Sequence, residues 1–341
     1  MPPDIQQFIN TLRRQRGTFV PLAELGVHPT IKERFIGHPL LTLGDEVEFW
    51  YRAGYDYVKL QPTVDFNPEK IGESAKVTYN NDGSVFRKWA SEGKGIITTD
   101  ADYERYKFPS VSEFDYSRFE RVRPLLHPGM GVIGQYGDIF TMTWEMMGFE
   151  TFSIALYENP ALVQTLNSTL GNLVVSMFEY FAQSDAVDVL WYSDDIAYTD
   201  GLMISPAMLR KYFFPWLKKI GDLAHAHGKP LIYHTDGLLY AVFDEIIACG
   251  VDAIHPIEPK AMAIGDVKKR YGDRLCLVGN IDVDLLARGS PEQIRQHVRE
   301  NIETVGYNGG YIVGSGNSIP EYVNFDNYLA MLKAAREFGG R

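Results

Sequence analysis

The stretch "LIYHTDGLL", residues 231–239, places two polar side chains, His234 and Asp236, directly after an apolar run. The run follows a helix-like segment (205–228) that begins with Ser-Pro and ends with glycine, as helices commonly do. A strand that follows a helix and ends in polar residues is typical of a parallel α/β sheet. The His-Asp pair has three interpretations: half of a metal site, an acid/base pair, or a turn in which Asp236 caps the next helix.

Strand-like runs alternate with helix-like segments along most of the chain. The segments 159–183 and 290–306 repeat the helix pattern of a capping residue followed by proline. Eight strands with helical crossovers predict a (β/α)8 TIM barrel, an α/β fold, as a single domain over residues 1–341. A doubly wound sheet is the alternative, but no glycine-rich fingerprint follows the first strand. The eight predicted strands are "FVPLA" (19–23), "YDYVKL" (55–60), "GVIGQY" (131–136), "VDVLWY" (187–192), "PLIYH" (230–234), "VDAIHP" (251–256), "RLCLVG" (274–279) and "GYIVGS" (310–315).

The long interval between the second and third strands interrupts this alternation. The sequence "KVTYNNDGSVFRKWASEGKGIITT" (76–99) has Asn-Asp-Gly between two β-like runs, which predicts a hairpin. We interpret this hairpin-containing excursion as a cover over one face of the barrel.

Composition and charge narrow the classes of partner. The 341 residues carry a net charge of −11, whereas binding to nucleic acid requires a basic surface. The two cysteines lie in apolar surroundings and in no metal-binding spacing, so we expect buried, reduced thiols. The amino terminus lacks the apolar core of a signal peptide and no apolar run approaches about 18 residues. We therefore expect a cytoplasmic protein with no membrane partner.

Polar side chains follow the predicted strands, where the chemistry of a barrel collects. Two histidines with carboxylates can bind a divalent metal through nitrogen and oxygen. Equally, a carboxylate could orient a histidine for acid/base work. The residues at or near the strand ends are Glu24, Gln61, Tyr136, Trp144, Glu145, Asp194, Asp195, His234, Asp236, His255, Asn280 and Asn317.

With these residues in view, the chain resembles the uroporphyrinogen decarboxylase superfamily. The segments that carry the resemblance cover roughly residues 130–340, in the family's order. They are "YSDDIAYTDGLMISPAMLRKYFFPWLKKI", "GKPLIYHTDGLL", "GVDAIHPIEP", "LVGNIDVDLLARGSPEQI" and "GGYIVGSGNSIP". The resemblance implies a TIM barrel and a homodimer. It also implies one of two activities: decarboxylation of a tetrapyrrole without a cofactor, or zinc-assisted methyl transfer to or from a corrinoid or a thiol.

The sequence departs from the decarboxylase branch in its substrate-gripping residues. That branch has an arginine-rich segment after the first strand, but here Glu24 stands at its start and no arginine lies between Glu24 and Arg34. The aspartate that follows the second strand in that branch is missing, and the position reads Gln61 to Thr63. Binding eight carboxylates needs concentrated positive charge, which this mouth lacks.

The sequence also departs from the zinc site of the methyltransferase branch. His-x-Cys after the fifth strand becomes His234-Thr235-Asp236, and the later cysteine position falls near Ser315. Zinc accepts carboxylate oxygen, so His234 and Asp236 remain the expected metal ligands, together with Glu24, Glu145 or His255. The nitrogen and sulfur ligands of that branch would then be replaced here by nitrogen and oxygen ligands.

The leading hypothesis is an enzyme of the methyltransferase-like branch that transfers a methyl group from a small donor to a corrinoid or thiol. The expected catalytic residues are His234, Asp236 and Asp195, and the expected cofactor is zinc, with a corrinoid protein as acceptor. The alternatives are a cofactor-free decarboxylase of porphyrin biosynthesis and a non-catalytic corrinoid- or tetrapyrrole-binding protein. The expected substrate-binding residues are Glu24, Gln61, Tyr136, Trp144, Glu145, Asp194, His255, Asn280 and Asn317.

Overall fold

Seven parallel strands form the central sheet of the computed structural model, which describes residues 2–64, 78–79, 85–86 and 95–341. The strands are hydrogen-bonded in their order along the chain. Each helical crossover therefore places the next strand beside the previous one, always in the same direction around the barrel. They are β1 (Tyr57–Leu60), β4 (Gly131–Gly137), β5 (Val189–Ser193), β8 (Leu231–His234), β9 (Ala253–His255), β10 (Cys276–Val278) and β11 (Tyr311–Ile312). These confirm the predicted second to eighth strands, with shorter bounds at most ends.

The predicted first strand, 19–23, is not a regular strand. It touches the last strand through one parallel bridge, Leu22 to Val313, with Ala23 N donating to Val313 O at 2.8 Å and Val313 N to Pro21 O at 3.0 Å. Pro21 has no N–H to donate to a neighbouring strand. On the other side, side chains replace backbone pairing: Lys59 Nζ donates to Glu24 O at 3.0 Å. The segment 19–23 therefore fills the eighth place in the barrel wall, between the last strand and β1, but it does so without a regular ladder of β-hydrogen bonds.

Helices surround the sheet. They are α1 (Ile5–Leu12), α2 (Pro29–Ile36), α3 (Leu43–Ala53), α4 (Asp100–Arg105), α5 (Ser117–Val122), α6 (Ile139–Met147), α7 (Phe149–Glu158), α8 (Pro160–Gln183), α9 (Pro206–Tyr212), α10 (Phe214–Ala226), α11 (Phe243–Ala248), α12 (Ile264–Tyr271), α13 (Val283–Arg288), α14 (Pro291–Thr304) and α15 (Phe325–Gly339).

The helix predictions are confirmed for α8 and α14, and corrected for 205–228. The capping residues Asn159 and Ser290 accept from the first turns of α8 and α14. The segment 205–228 forms two helices instead of one, because Pro215 interrupts the hydrogen-bonded ladder just after Phe213.

Two short antiparallel pairs lie outside the barrel sheet. β2 (Thr78–Tyr79) pairs with β3 (Val85–Phe86), which confirms the two arms of the predicted hairpin. Its Asn-Asp-Gly turn and the covering role of the excursion lie outside the described residues. The second pair, β6 (Ala197–Tyr198) with β7 (Gly201–Leu202), follows β5 at the mouth of the barrel.

Large aromatic side chains fill the barrel wall. Trp191, Tyr192 and Tyr233 are fully buried, and the Tyr192 and Tyr233 rings stack at 5.9 Å. Both cysteines are buried and free, as expected. Within the described part of the chain, no helix has the length and apolar character needed to cross a membrane.

Candidate functional site

The end of β8 brings two histidines together inside the barrel. His234 and His255 end adjacent parallel strands and are register partners. Their Nδ1 atoms lie 2.7 Å apart, and both rings are buried. Burial lowers the pKa of His234 to about 3, with the Lys59 charge adding to the shift. Burial also holds the pKa of His255 well below its usual range, so both imidazoles are neutral at pH 7.

Two carboxylates lie on the outer side of this pair. Asp195 Oδ1 is 4.0 Å from His234 Nε2 and accepts a hydrogen bond from the backbone N–H of Asp236 at 2.9 Å. Asp236 Oδ2 accepts from Asn317 Nδ2 at 2.6 Å, while Asp236 Oδ1 is buried and has no hydrogen-bond partner among the residues that the structure describes. The next helix begins at Phe243, so Asp236 does not cap it.

Burial, together with the neighbouring acids, raises the pKa values of Asp195 and Asp236. Burial raises the pKa of Asp236 to about 8, with Asp195 and Glu258 adding to the shift. Burial also raises the pKa of Asp195 to about 6. At pH 7 the group therefore carries less negative charge than two ionised carboxylates, and a bound cation would favour the ionised forms.

The donor set fits a divalent metal ion. One ligand atom from each of Asp195, His234 and Asp236 can be chosen so that all three lie within 4.8 Å of one another. One nitrogen and two carboxylate oxygens form a set that zinc accepts, with a position left for a water molecule or a substrate. The neutral His234 ring and the unpartnered Asp236 Oδ1 are the two features that suit this use. His255, hydrogen-bonded to the far nitrogen of His234, would fix the ring's tautomer.

A second buried acid, Glu24, directly follows the irregular segment 19–23. Glu24 is fully buried and accepts from Ser315 Oγ at 2.5 Å and Ser315 N at 3.0 Å. Burial raises the pKa of Glu24 to about 8. Ser315, near which the second cysteine of the methyltransferase branch was expected, therefore bonds to Glu24 rather than joining Asp236.

The structure does not bring Asp194 to the mouth. Its carboxylate accepts from Phe140 N at 2.7 Å, Thr141 N at 2.9 Å and Tyr192 Oη at 2.6 Å. Phe140 and Thr141 lie in the first turn of α6, whose free N–H groups attract a carboxylate. These contacts give Asp194 a structural role at the start of α6, and its expected role in substrate binding stays a prediction.

Asn280 is also engaged away from the mouth. Its Nδ2 donates to Ile257 O at 2.8 Å, and its Oδ1 accepts from Asn301 Nδ2 at 3.3 Å. These contacts tie the end of β10 to a neighbouring loop and to α14, which makes Asn280 a structural residue as well.

The remaining expected residues divide between two cavities and the wall around α6. Gln61 lines a cavity of about 220 Å³, and Asp236 and Asn317 line another of about 380 Å³. Trp144 is buried and its ring lies 5.5 Å from that of Phe149. Trp144, Tyr136 and Glu145 line neither of these two cavities.

Lys59 was missing from the expected residues, and Glu258, which follows the sixth predicted strand, had been given no role. Lys59 lies in β1, and Glu258 accepts from Gly237 N and Thr199 Oγ1 at 2.8 Å each. The alternation of side chains along β1 could have identified Lys59 as an inward-facing residue, because Tyr57, Lys59 and Gln61 fall on one face of the strand. A lysine on the inward face of a barrel strand is unusual enough to be noticed.

Comparisons with known proteins place this barrel and its mouth in a family. The profile described as Uroporphyrinogen decarboxylase (URO-D) matches residues 48–338. The chain therefore belongs to the URO-D family, as the sequence resemblance predicted, and the family's barrel is the fold seen here.

Individual relatives are distant. The chain is 26% identical over 251 residues to a uroporphyrinogen decarboxylase of Coxiella burnetii, covering 70% of this chain and 67% of the relative. It is 25% identical over 264 residues to a uroporphyrinogen decarboxylase of Pseudomonas putida, with 73% and 71% covered. Among solved structures, a methyltransferase from Methanosarcina mazei matches with a TM-score of 0.70 and 18% identity, covering 97% of this chain and 98% of that one. At that identity the structural match supports the fold.

Proposed function

We propose that this protein is a metal-dependent methyltransferase that moves a methyl group from a small methylated donor to a corrinoid or a thiol. The observation that carries the proposal is the trio of Asp195, His234 and Asp236, whose ligand atoms lie within 4.8 Å of one another at the barrel mouth. A bound zinc ion would act as a Lewis acid on the heteroatom that loses the methyl group. The chain itself holds the ligands, with His234 buried and Asp195 and Asp236 half-buried at the mouth.

The hydrogen bonds around the trio support this assignment. Asn317 fixes one oxygen of Asp236, and the backbone N–H of Asp236 fixes Asp195. His255 holds the far side of the His234 ring. His234 and Asp236 are thus oriented by neighbours that are not themselves ligands, which is how metal sites are commonly held, and Asp195 is oriented by the backbone of Asp236.

The charge of the larger cavity argues against a substrate with many carboxylates. The larger cavity is lined by four acids and one lysine, namely Asp236, Glu258, Asp282, Asp284 and Lys260. These carboxylates would repel the acidic arms of uroporphyrinogen. Decarboxylation of that tetrapyrrole is therefore the less supported activity.

The test is methyl transfer to a reduced free corrinoid, followed by visible absorbance. Zinc-loaded protein would be offered aromatic methyl ethers, methylated amines and methyl thioethers in turn. We expect one class to methylate the corrinoid, and we expect His234→Ala to lower the rate at least 100-fold. His227→Ala, on an exposed histidine at the end of α10, should keep the full rate. Sustained decarboxylation of uroporphyrinogen that is unaffected by His234→Ala would overturn the proposal.

A further inference from the structure

Lys59 is an inward-facing cation without a carboxylate partner among the described residues. Its Nζ donates one hydrogen bond, to the backbone oxygen of Glu24 at 3.0 Å. It lies 4.5 Å from the centre of the Trp191 ring. No described carboxylate oxygen comes within 4.0 Å of it, whereas Lys32 nearby has such a partner in Glu46 at 2.8 Å. An ammonium group has three N–H donors, so Lys59 has donors to spare.

A cation in this position is costly without a counter-ion. Removing a charge from water is unfavourable unless it is paired or hydrogen-bonded. Burial holds the pKa of Lys59 well below its usual range, with the Lys32 charge as the next cause. An anion beside Lys59 would restore the charged form and supply the missing partner.

The cavity beside Lys59 has the composition of an anion site. It measures about 220 Å³, room for a small molecule or one end of a larger one. Among the described residues, three cations line it, Lys32, Lys59 and Arg118, against the single carboxylate of Glu46. The amides of Gln61 and Gln135 also line it. This excess of positive charge contrasts with a chain of net charge −11 and with the acidic cavity next to it.

The two cavities are neighbours across the barrel mouth. Ser318 and Pro320 line both of them. In the barrel wall, Trp191 links the two centres, because its ring lies 4.5 Å from Lys59 Nζ and 5.3 Å from the centre of the His255 ring. One small molecule could therefore reach from the Lys59 cavity to the trio of Asp195, His234 and Asp236.

We propose that the Lys59 cavity binds a carboxylate group of the methyl donor, with Lys59 as its counter-ion and Gln61 and Gln135 as additional donors. The substrate class is then a methylated compound that carries one carboxylate, held at one end by Lys59 and presented at the other to the metal site. The assignment of this carboxylate to the methyl donor rests on the proposed function. The anion site itself does not.

The test measures binding of propionate to the full-length protein by isothermal titration calorimetry, with propionamide as the uncharged molecule of the same size. We expect saturable binding of propionate and at least tenfold weaker binding of propionamide. Lys59→Met should weaken propionate binding at least tenfold, and Lys59→Arg should keep most of it. Lys219→Met, on an exposed lysine of α10 that lines neither cavity, is the matched control and should bind propionate as the wild type does.

Further readouts separate an anion site from a structural lysine. The affinity for propionate should fall with rising pH in the wild type as Lys59 loses its proton, and this part of the pH dependence should be absent in Lys59→Met, because the anion favours the ammonium form. Circular dichroism should show Lys59→Met folded, since methionine removes a half-buried charge that lacks a described carboxylate partner. Equal binding by Lys59→Met and wild type, equal binding of propionamide, or no saturable binding by wild type would each overturn the proposal.

The outcome is independent of methyl transfer. His234→Ala should keep propionate binding while losing the transfer activity. If no methyl transfer is found but propionate still binds through Lys59, the anion site stands and the proposed function fails.

Discussion

The Nδ1 atoms of His234 and His255 lie 2.7 Å apart inside the barrel, so the two rings share a proton between these atoms. When His234 Nδ1 carries the proton, His234 Nε2 is left with a lone pair facing Asp195. That tautomer is the one a metal ion needs. The hydrogen bond between the two histidines therefore determines whether His234 Nε2 is free to bind a metal at the barrel mouth.

Acid should destabilise the metal-free protein through His234. The pKa of this ring is about 3 in the folded protein and about 6.5 when unfolded, so between these values the unfolded chain binds more protons. Stability therefore rises with pH across that window and is lost as the pH falls through it. We expect His234→Gln to lose less stability than wild type between pH 6.5 and 4, measured by urea unfolding with a chelator present. Parallel curves for the two proteins would contradict this.

Glu24 should have the opposite effect on stability. Its pKa is about 8 in the folded protein and about 4.5 when unfolded, so the folded state holds the proton across this window. Stability is then highest below the unfolded pKa and falls as the pH rises, by at most about 1.4 kcal/mol per pH unit. We expect Glu24→Gln to remove this decline between pH 5 and 8 in the same unfolding measurement. An unchanged slope in the variant would show that Glu24 is ionised when folded.

The adjacent residues Asp194 and Asp195 should respond differently to the same substitution. Asp194→Asn places an amide where the carboxylate accepts two backbone N–H groups and a tyrosine hydroxyl. We expect a loss of about 2–4 kcal/mol in the free energy of unfolding with metal binding kept. Asp195→Asn should change stability by less than about 1 kcal/mol and weaken zinc binding at least tenfold. Urea unfolding and zinc titration of both variants check this, and the reverse pattern would exchange their roles.

The sequence predicted the barrel because seven of its strands are short apolar runs bounded by turns and separated by helices with standard caps. It also predicted His234, Asp195 and Asp236, because strand ends converge at one mouth. It could not separate Asp194 from Asp195, since that difference depends on the free N–H groups of α6 packing against one of them. The contact of Glu24 with Ser315 could not be predicted from the sequence either, because 291 residues separate the two.

The regular strand expected at 19–23 failed for a different reason. Its apolar residues match a strand pattern, but Pro21 cannot donate a hydrogen bond and the segment is held partly by Lys59. Lys59 itself was overlooked because a single charged residue in an apolar run resembles an outward-facing position. Only the alternation with Tyr57 and Gln61 marks it as inward.

Zinc content is complicated by a second, exposed group of possible ligands. His38, Asp45 and Glu48 also lie close enough to hold a metal, although Asp45 caps α3 and Glu48 pairs with Arg52. A measurement of bound zinc must therefore separate this surface group from the barrel mouth. His38→Ala serves that purpose, because it removes the only nitrogen ligand of the surface group.

The most direct test of the metal site is the zinc content of protein exposed to zinc and then dialysed, measured by elemental analysis. The account predicts about one zinc ion per chain in wild type and in His38→Ala, and almost none in His234→Ala. Wild-type protein that retains no zinc, or His234→Ala that retains as much as wild type, would contradict it.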